Sequence, residues 1–328
     1  MNSFGKNFRV QIFGQSHGDY VGLIIDGCPP GINITPEDFK EDIERRKPGA
    51  KGTTPRKEDD IPEIISGVFN GKSAGSPITI LFKNSNTRSG DYEKQRAVPR
   101  PGHADFVAHQ KFKGFEDFRG GGHFSGRLTV ALVAAGVVAK KVIESFSPDK
   151  KIKVNATILE IGGEKDLEKG LQKAVDAKDS IGGILECKVS HLPIGLGEPF
   201  FNSAESLISH AVFSIPAVKG IEFGAGFAAA KMFGIEHNDA IINADGTTAT
   251  NNAGGIVGGI TNGNELAFRI VVKPTSSTPK EQQTLNVETG NVEPFSVKGR
   301  HDLCIALRVP VVLESVTAMV LADLMMEG

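Results

Sequence analysis

Apolar side chains fall on nearly every face of a helix between Leu128 and Phe146, through Val133, Ala134, Ala135, Val137 and Val138. A helix patterned that way must be covered by protein on all sides rather than along one stripe. Lys140, Lys141 and Glu144 interrupt the run before it could cross a bilayer, so it predicts a central buried helix and not a membrane span. A last helix is expected from Pro310 to about Met326.

Around these two, shorter patterns predict strands. Phe8 to Phe13 and Val21 to Ile25 read as a hairpin whose tip is Gly14-Gln15-Ser16-His17-Gly18-Asp19. Thr35-Pro36-Glu37-Asp38 supplies an N-cap, a proline at the first helical position and an acid in the first turn, which predicts a helix running to Arg46 before Pro48-Gly49 ends it. Ile64 to Phe69 and Ile78 to Phe82 read as a second strand pair. The polar stretch Lys83 to Arg100, with Arg88, Asp91, Tyr92 and Arg96, is long for a plain connection and is expected to be a functional loop. A short helix is expected after Pro101-Gly102-His103-Ala104-Asp105. Beyond the central helix come strand Ile152 to Ile161, helix Asp166 to Ala177, strand Gly183 to Val189, helix Ala204 to Phe213, strand Gly220 to Gly224 and strand Glu265 to Val272. Strands and helices alternating on both sides of the central helix suggest an internal duplication of a sheet-and-helix unit.

Composition narrows the function. A net charge of −2 with 23% charged residues leaves no overall basic field for nucleic acid or a membrane surface, so any anion recognition must be local. Cys28, Cys187 and Cys304 are odd in number, lack CxxC spacing and lie among apolar residues. They are expected as reduced, buried thiols of a cytoplasmic protein, with no disulfide framework and no metal site. The first residues carry Lys6 and Arg9 and no apolar segment of signal-peptide length.

The candidate chemistry sits in loops. Arg119-Gly120-Gly121-Gly122-His123-Phe124-Ser125-Gly126-Arg127 can turn several backbone N–H groups toward one point just ahead of a helix, with an arginine at either end, which suits a phosphate or flavin cradle. The same residues also suit a glycine-rich connection before a buried helix. His17, His103 and Asp302 each lie in a loop; a histidine titrating near neutrality can pass a proton to a leaving phosphate or stabilise an anionic ring. Gly14-Gln15-Ser16-His17-Gly18 matches the spacing of a serine hydrolase elbow, but a strand follows where that elbow needs a helix. Ala253 to Gly258 imitates a dinucleotide fingerprint and likewise lacks a following helix.

Seven stretches together resemble the chorismate synthase family over essentially the whole chain: Phe13 to Gly18, Asp26 to Gly31, Arg45 to Gly49, Arg100 to Asp105, Arg119 to Arg127, Lys273 to Ser277 and Arg300 to Asp302. The resemblance implies one α+β domain over residues 1–328, a β-α-β sandwich with helices packed between antiparallel sheets and an internal pseudo-duplication, assembled as a homotetramer. It implies loss of phosphate and a proton from 5-enolpyruvylshikimate-3-phosphate to give chorismate, with reduced FMN (FMNH2) and no net oxidation, NADPH entering only as a flavin reductant. His17 would protonate the leaving phosphate, His103 would stabilise the reduced flavin, and Asp302 would relay the proton at the flavin. The flavin would be held by His123, Phe124, Ser125, Ala217, Gly258, Lys273, Pro274, Thr275, Ser276, Ser277 and Arg300. Arg45, Arg46, Lys51 and Arg127 would bind the phosphate of substrate or of NADPH. The family's loop usually reads Arg-Ser-Ser-Ala-Arg-Glu where this chain has His123 to Leu128, and Gln15, Pro216 and Leu303 replace a usual glutamate, asparagine and proline. Two other classes share this inventory: an FMN-dependent oxidoreductase that has lost the elimination, and a non-catalytic anion-binding module.

Overall fold

The computed structural model describes residues 2–49, 52–54, 58–86, 96–297 and 302–327. The first sheet is antiparallel. It is built from β1 (Ser3–Phe4), β2 (Arg9–Gly14), β3 (Tyr20–Asp26), β4 (Glu63–Ser66) and β7 (Ile78–Lys83) in the order β1-β2-β3-β7-β4. Register is set by which face each strand buries: Val21, Leu23 and Ile25 stand opposite Phe82, Ile80 and Ile78, and all six side chains are fully buried.

The expected strand Ile64 to Phe69 breaks at Gly67. That glycine has φ +80°, and a Cβ on it would lie 2.6 Å from the Cα of Ile78. The chain leaves the sheet there, and β5 (Val68–Phe69) pairs instead with β6 (Lys72–Ser73) in a small hairpin. The helix expected from Thr35 starts as a tight 3-10 turn, Pro36–Phe39, closed by a capping box between Thr35 and Asp38, and continues as α1 (Lys40–Arg46).

After α2 (Asp105–Phe112) and α3 (Thr129–Phe146) the second sheet begins. It comprises β8 (Lys153–Ile161), β9 (Gly183–Ser190), β10 (Val218–Phe223) and β13 (Leu266–Val272), antiparallel in the order β10-β13-β9-β8. Its connections carry α4 (Leu167–Ala177), α5 (Ala204–Val212), α6 (Gly234–His237) and the hairpin β11 (Ile256–Val257) with β12 (Ile260–Thr261). A further hairpin, β14 (Gln282–Leu285) with β15 (Val292–Phe295), precedes α7 (Pro310–Met325).

The two apolar helices lie between the sheets. α3 packs on β2, β3 and β7, α7 packs on β8 and β9, and α3 and α7 pack on each other. Val311 to Met325 of α7 are all buried, as are Val130 to Ala139 of α3. Burying a large aliphatic side chain contributes about 1.5–3 kcal/mol, so this double layer supplies much of the driving force for folding. The helices approach closely because Gly136 faces Ser315, where a Cβ on Gly136 would lie 2.3 Å from the Cβ of Ser315. Polar groups in this layer are satisfied. Ser315 and Thr317 donate to the carbonyls of Val311 and Leu313 at 2.7 and 2.8 Å. Glu314 accepts both arms of Arg45 at 2.7 Å and the Ala156 N–H at 3.0 Å, and Asp323 accepts the N–H groups of Lys6, Asn7 and Phe8. The chain is thus α+β, with helices sandwiched by antiparallel sheets. The three cysteines are free and buried, and among the described residues no helix is long and apolar enough to cross a membrane.

Candidate active site

Gly120, Gly121 and Gly122 have φ of +61°, +81° and +53° in the tight turn Arg119–Phe124. Only glycine fits there. A Cβ on Gly122 would lie 1.9 Å from the Asp117 carbonyl oxygen, one on Gly120 would lie 2.5 Å from the His17 ring, and one on Gly121 would lie 3.3 Å from the His103 ring. The turn therefore brings two imidazoles, from loops far apart in sequence, onto neighbouring glycines. The β2–β3 tip is fastened to it by the Ser16 N–H, which donates to the Gly122 carbonyl at 3.0 Å. Arg119 does not face an anion site: its guanidinium clasps Asp117 with two contacts of 2.8 Å.

Beside the turn opens a cavity of about 680 Å³. Five cationic side chains (Arg46, Arg100, Arg127, Lys273 and Arg308) line it against three carboxylates (Glu58, Asp60 and Asp302), so it favours anions. Asp60, itself at φ +53°, joins two of the arginines: Arg46 donates to one oxygen at 2.6 Å and Arg127 to the other. Burial alone would raise the pKa of Asp60, but the charges of Arg46 and Arg127 outweigh it and bring it below the usual carboxylate range. Burial pulls Arg46 down to about 10, opposed by Asp60. The Nε of Arg46 is a buried donor with no partner among the described residues. A buried donor left unmade costs about 1–3 kcal/mol, which a bound anion would recover.

Asp302 accepts from the Thr54 N–H at 2.8 Å and from Arg308 at 3.3 Å, while Arg308 Nε donates to the Arg46 carbonyl at 3.1 Å. Elsewhere on the lining, His123 Nδ1 lies 2.8 Å from the Gly14 carbonyl. A carbonyl can only accept, so Nδ1 carries the proton and Nε2 is the free end of that ring. The Ser276 hydroxyl donates to the Gly102 carbonyl at 2.7 Å and receives Lys273 Nζ at 2.9 Å, joining the loop 273–277 to the His103 loop. Ala217 takes φ +73°, rare for a residue with a side chain, and its carbonyl accepts the Lys273 N–H at 2.9 Å.

Of the residues singled out in the sequence, His103, Asp302, His123, Phe124, Ser125, Ala217, Lys273, Thr275, Ser276, Ser277, Arg46 and Arg127 all line this one cavity. His17 is buried behind Gly120 rather than on the lining. Arg45 points away, held by Glu314 and Asp42 with its side chain 40% exposed, so of the two adjacent arginines only Arg46 reaches the cavity. Gly258 sits in the exposed β11–β12 turn, and Pro274 packs on Gly182 instead of facing inward. Lys51, Arg300 and residues 87–95 of the polar stretch, with Arg88, Asp91 and Tyr92, lie outside the described residues. Sequence reasoning missed Arg308, Asp60 and Glu58. Arg100, also unassigned, stood inside a quoted motif.

A family model described as chorismate synthase matches residues 8–326. A chorismate synthase of Chitinophaga pinensis is 70% identical over 326 residues, covering 99% of this chain and 97% of the relative. One from Methanocaldococcus jannaschii is 41% identical over 368 residues, covering 100% and 97%. A crystal structure of chorismate synthase aligns with a TM-score of 0.73 at 26% identity, over 98% of this chain and 93% of that one. Sequence, fold and the motif residues gathered at one cavity agree, and the chain belongs to the chorismate synthase family.

Proposed function

We propose that this enzyme removes phosphate and a proton from 5-enolpyruvylshikimate-3-phosphate by a 1,4-anti elimination to give chorismate, the last common step toward the aromatic amino acids, with reduced FMN as cofactor. The observation that carries the reading is the anion-favouring cavity in which Arg46, Arg127, His103 and Asp302 meet. Its volume of about 680 Å³ lies within the range of cofactor sites, roughly 300–1,000 Å³. The lining suits the flavin: Lys273 and the hydroxyls of Ser125, Thr275, Ser276 and Ser277 match a phosphate and sugar chain, and Leu128, Ile305 and Val309 give an apolar wall. When bound, reduced FMN supplies electron density to the reacting carbon framework and ends with its oxidation state unchanged.

The protein's own groups do the rest. Arg46 and Arg127 hold the leaving phosphate, Arg46 through its unpartnered Nε. The resemblance alone assigns to His17, which lies behind Gly120 and off the lining, the proton given to that phosphate, a role worth about 10²–10⁴-fold in rate. His103 would hydrogen-bond the reduced flavin when it is bound, and Asp302 would relay the proton that the substrate loses. NADPH serves only as a reductant of the flavin, and the setting is cytoplasmic. The chain assembles as a homotetramer in this reading, and the exposed Phe200, Phe201, Phe227, Phe233 and Ile235 are apolar side chains that a subunit contact would cover.

Purified protein, photoreduced FMN and substrate, mixed without oxygen, are expected to yield equal amounts of inorganic phosphate and chorismate. Absence of both products would overturn the reading. NADPH oxidation coupled to another acceptor, without phosphate release, would point to an oxidoreductase instead.

A further inference from the structure

Asp105 is the first residue of α2, and its carboxylate oxygen Oδ1 lies 2.5 Å from Nδ1 of His103. Arg100 grips the same carboxylate with Nε at 2.7 Å and Nη2 at 2.8 Å, while its backbone N–H donates at 3.1 Å. The third nitrogen of that guanidinium, Nη1, donates to the Ser277 hydroxyl at 3.2 Å. Both Arg100 and Ser277 are buried, so this is a built array and not a surface pairing. Burial alone would raise the pKa of Asp105, but the hydrogen bonds from Arg100 and His103 hold it far below the usual carboxylate range.

An ionised carboxylate can only accept. The proton of the 2.5 Å contact therefore sits on His103 Nδ1, and Nε2 is the ring atom left to meet a ligand. Arg100 Nη2 also lies 3.1 Å from that Nδ1. Guanidinium has no lone pair to offer, and a protonated Nδ1 has none either, so that approach is not a hydrogen bond while Asp105 is present. Remove the carboxylate charge and Nη2 becomes a competing donor to Nδ1, which moves the ring proton to Nε2. Gly121 then matters sterically, because a Cβ there would stand 3.3 Å from Cε1 and 3.4 Å from Nε2 of that ring.

We propose that Asp105, itself fixed by Arg100, is a positioning residue that sets the tautomer and ring orientation of His103 in the reaction. The inference rests on the proposed elimination for its kinetic arm but not for its spectroscopic one. The test compares wild type with Asp105→Asn and Asp105→Glu. In ligand-free protein in mildly alkaline solution, 15N spectra of the His103 ring are expected to show the proton on Nδ1 in wild type and in Asp105→Glu, and a substantial Nε2–H population in Asp105→Asn. In turnover, Asp105→Asn is expected to lose about 10²-fold in kcat with KM changed only a few-fold, because Arg46 and Arg127 are untouched, and Asp105→Glu to recover part of the loss. An unchanged tautomer in Asp105→Asn, or an unchanged kcat in that variant, would overturn the proposal. If wild type forms no chorismate the proposed elimination fails, while the 15N comparison still decides the role of Asp105.

Discussion

Asp60 carries two arginines on one carboxylate with its side chain 1% exposed. Removing the charge takes from both buried cations the carboxylate they share, and breaking a buried pair costs about 3–5 kcal/mol. Its native pKa is depressed, so the stability it contributes is present above the unfolded value of about 3.9 and is lost as pH falls through the native one. Asp60→Asn is therefore expected to be less stable than wild type by about 3–5 kcal/mol in urea unfolding near neutral pH, with the gap closing as the solution is acidified below about pH 4. A gap that stays constant into acid would show that the charge is not the cause. This residue also marks where reading a sequence stops. Glu58, Asp59 and Asp60 are three acids in a row, and only the folded chain reveals that the first and third are buried while the second is exposed. Arg45 and Arg46 pose the same problem, because neighbours on a helix point about 100° apart and nothing local says which one meets the ligand. His17, His103 and Asp302 could be singled out because each stands in a loop motif of glycines or charges; the fold puts His103 and Asp302 on the cavity lining and His17 behind Gly120.

Strands and helices were far easier to foresee than residues. The helices Leu167–Ala177 and Ala204–Val212 and the strands Gly183–Ser190 and Leu266–Val272 fall within two residues of where periodicity puts them, because each has one buried face and clear end signals. Periodicity failed at Gly67, where a close crossing of β7 ends a strand that its apolar residues would have continued. It also could not say what covers α3. An all-round apolar helix announces only that something does, and the partner turned out to be α7. Gly136 is the point of closest approach: a methyl there would stand 2.3 Å from Ser315 Cβ and 2.5 Å from its Cα, a backbone atom that cannot swing aside. Gly136→Ala is expected to lower stability by about 1–3 kcal/mol, read from the denaturant midpoint, despite the better helix propensity of alanine. A more stable variant would mean that the two helices part without cost.

At the scale of the molecule, the sheet-helix-helix-sheet stack buries the helices of its inner layer while its outer loops expose large apolar side chains. Phe201 is 93% exposed, Phe227 83% and Phe233 76%. If the proposed tetramer covers them, Phe227→Ser with Phe233→Ser should leave each chain folded by circular dichroism but lower the mass measured by light scattering. An unchanged mass would remove these side chains from the interface. No periodic signal could have disclosed this surface, since a phenylalanine in a loop looks the same whether it packs inward or against a neighbour.

The central layer also has an order built into it. α3 ends at Phe146 and its companion α7 begins only at Pro310, while the amides of Lys6, Asn7 and Phe8 are anchored by Asp323 near the far end of that companion. A ribosome makes the amino-terminal half first. Throughout translation of the second sheet, the greasy wall of α3 and the first three-amide anchor point stand waiting, so the nascent chain cannot close its interior until the last helix has left the exit tunnel.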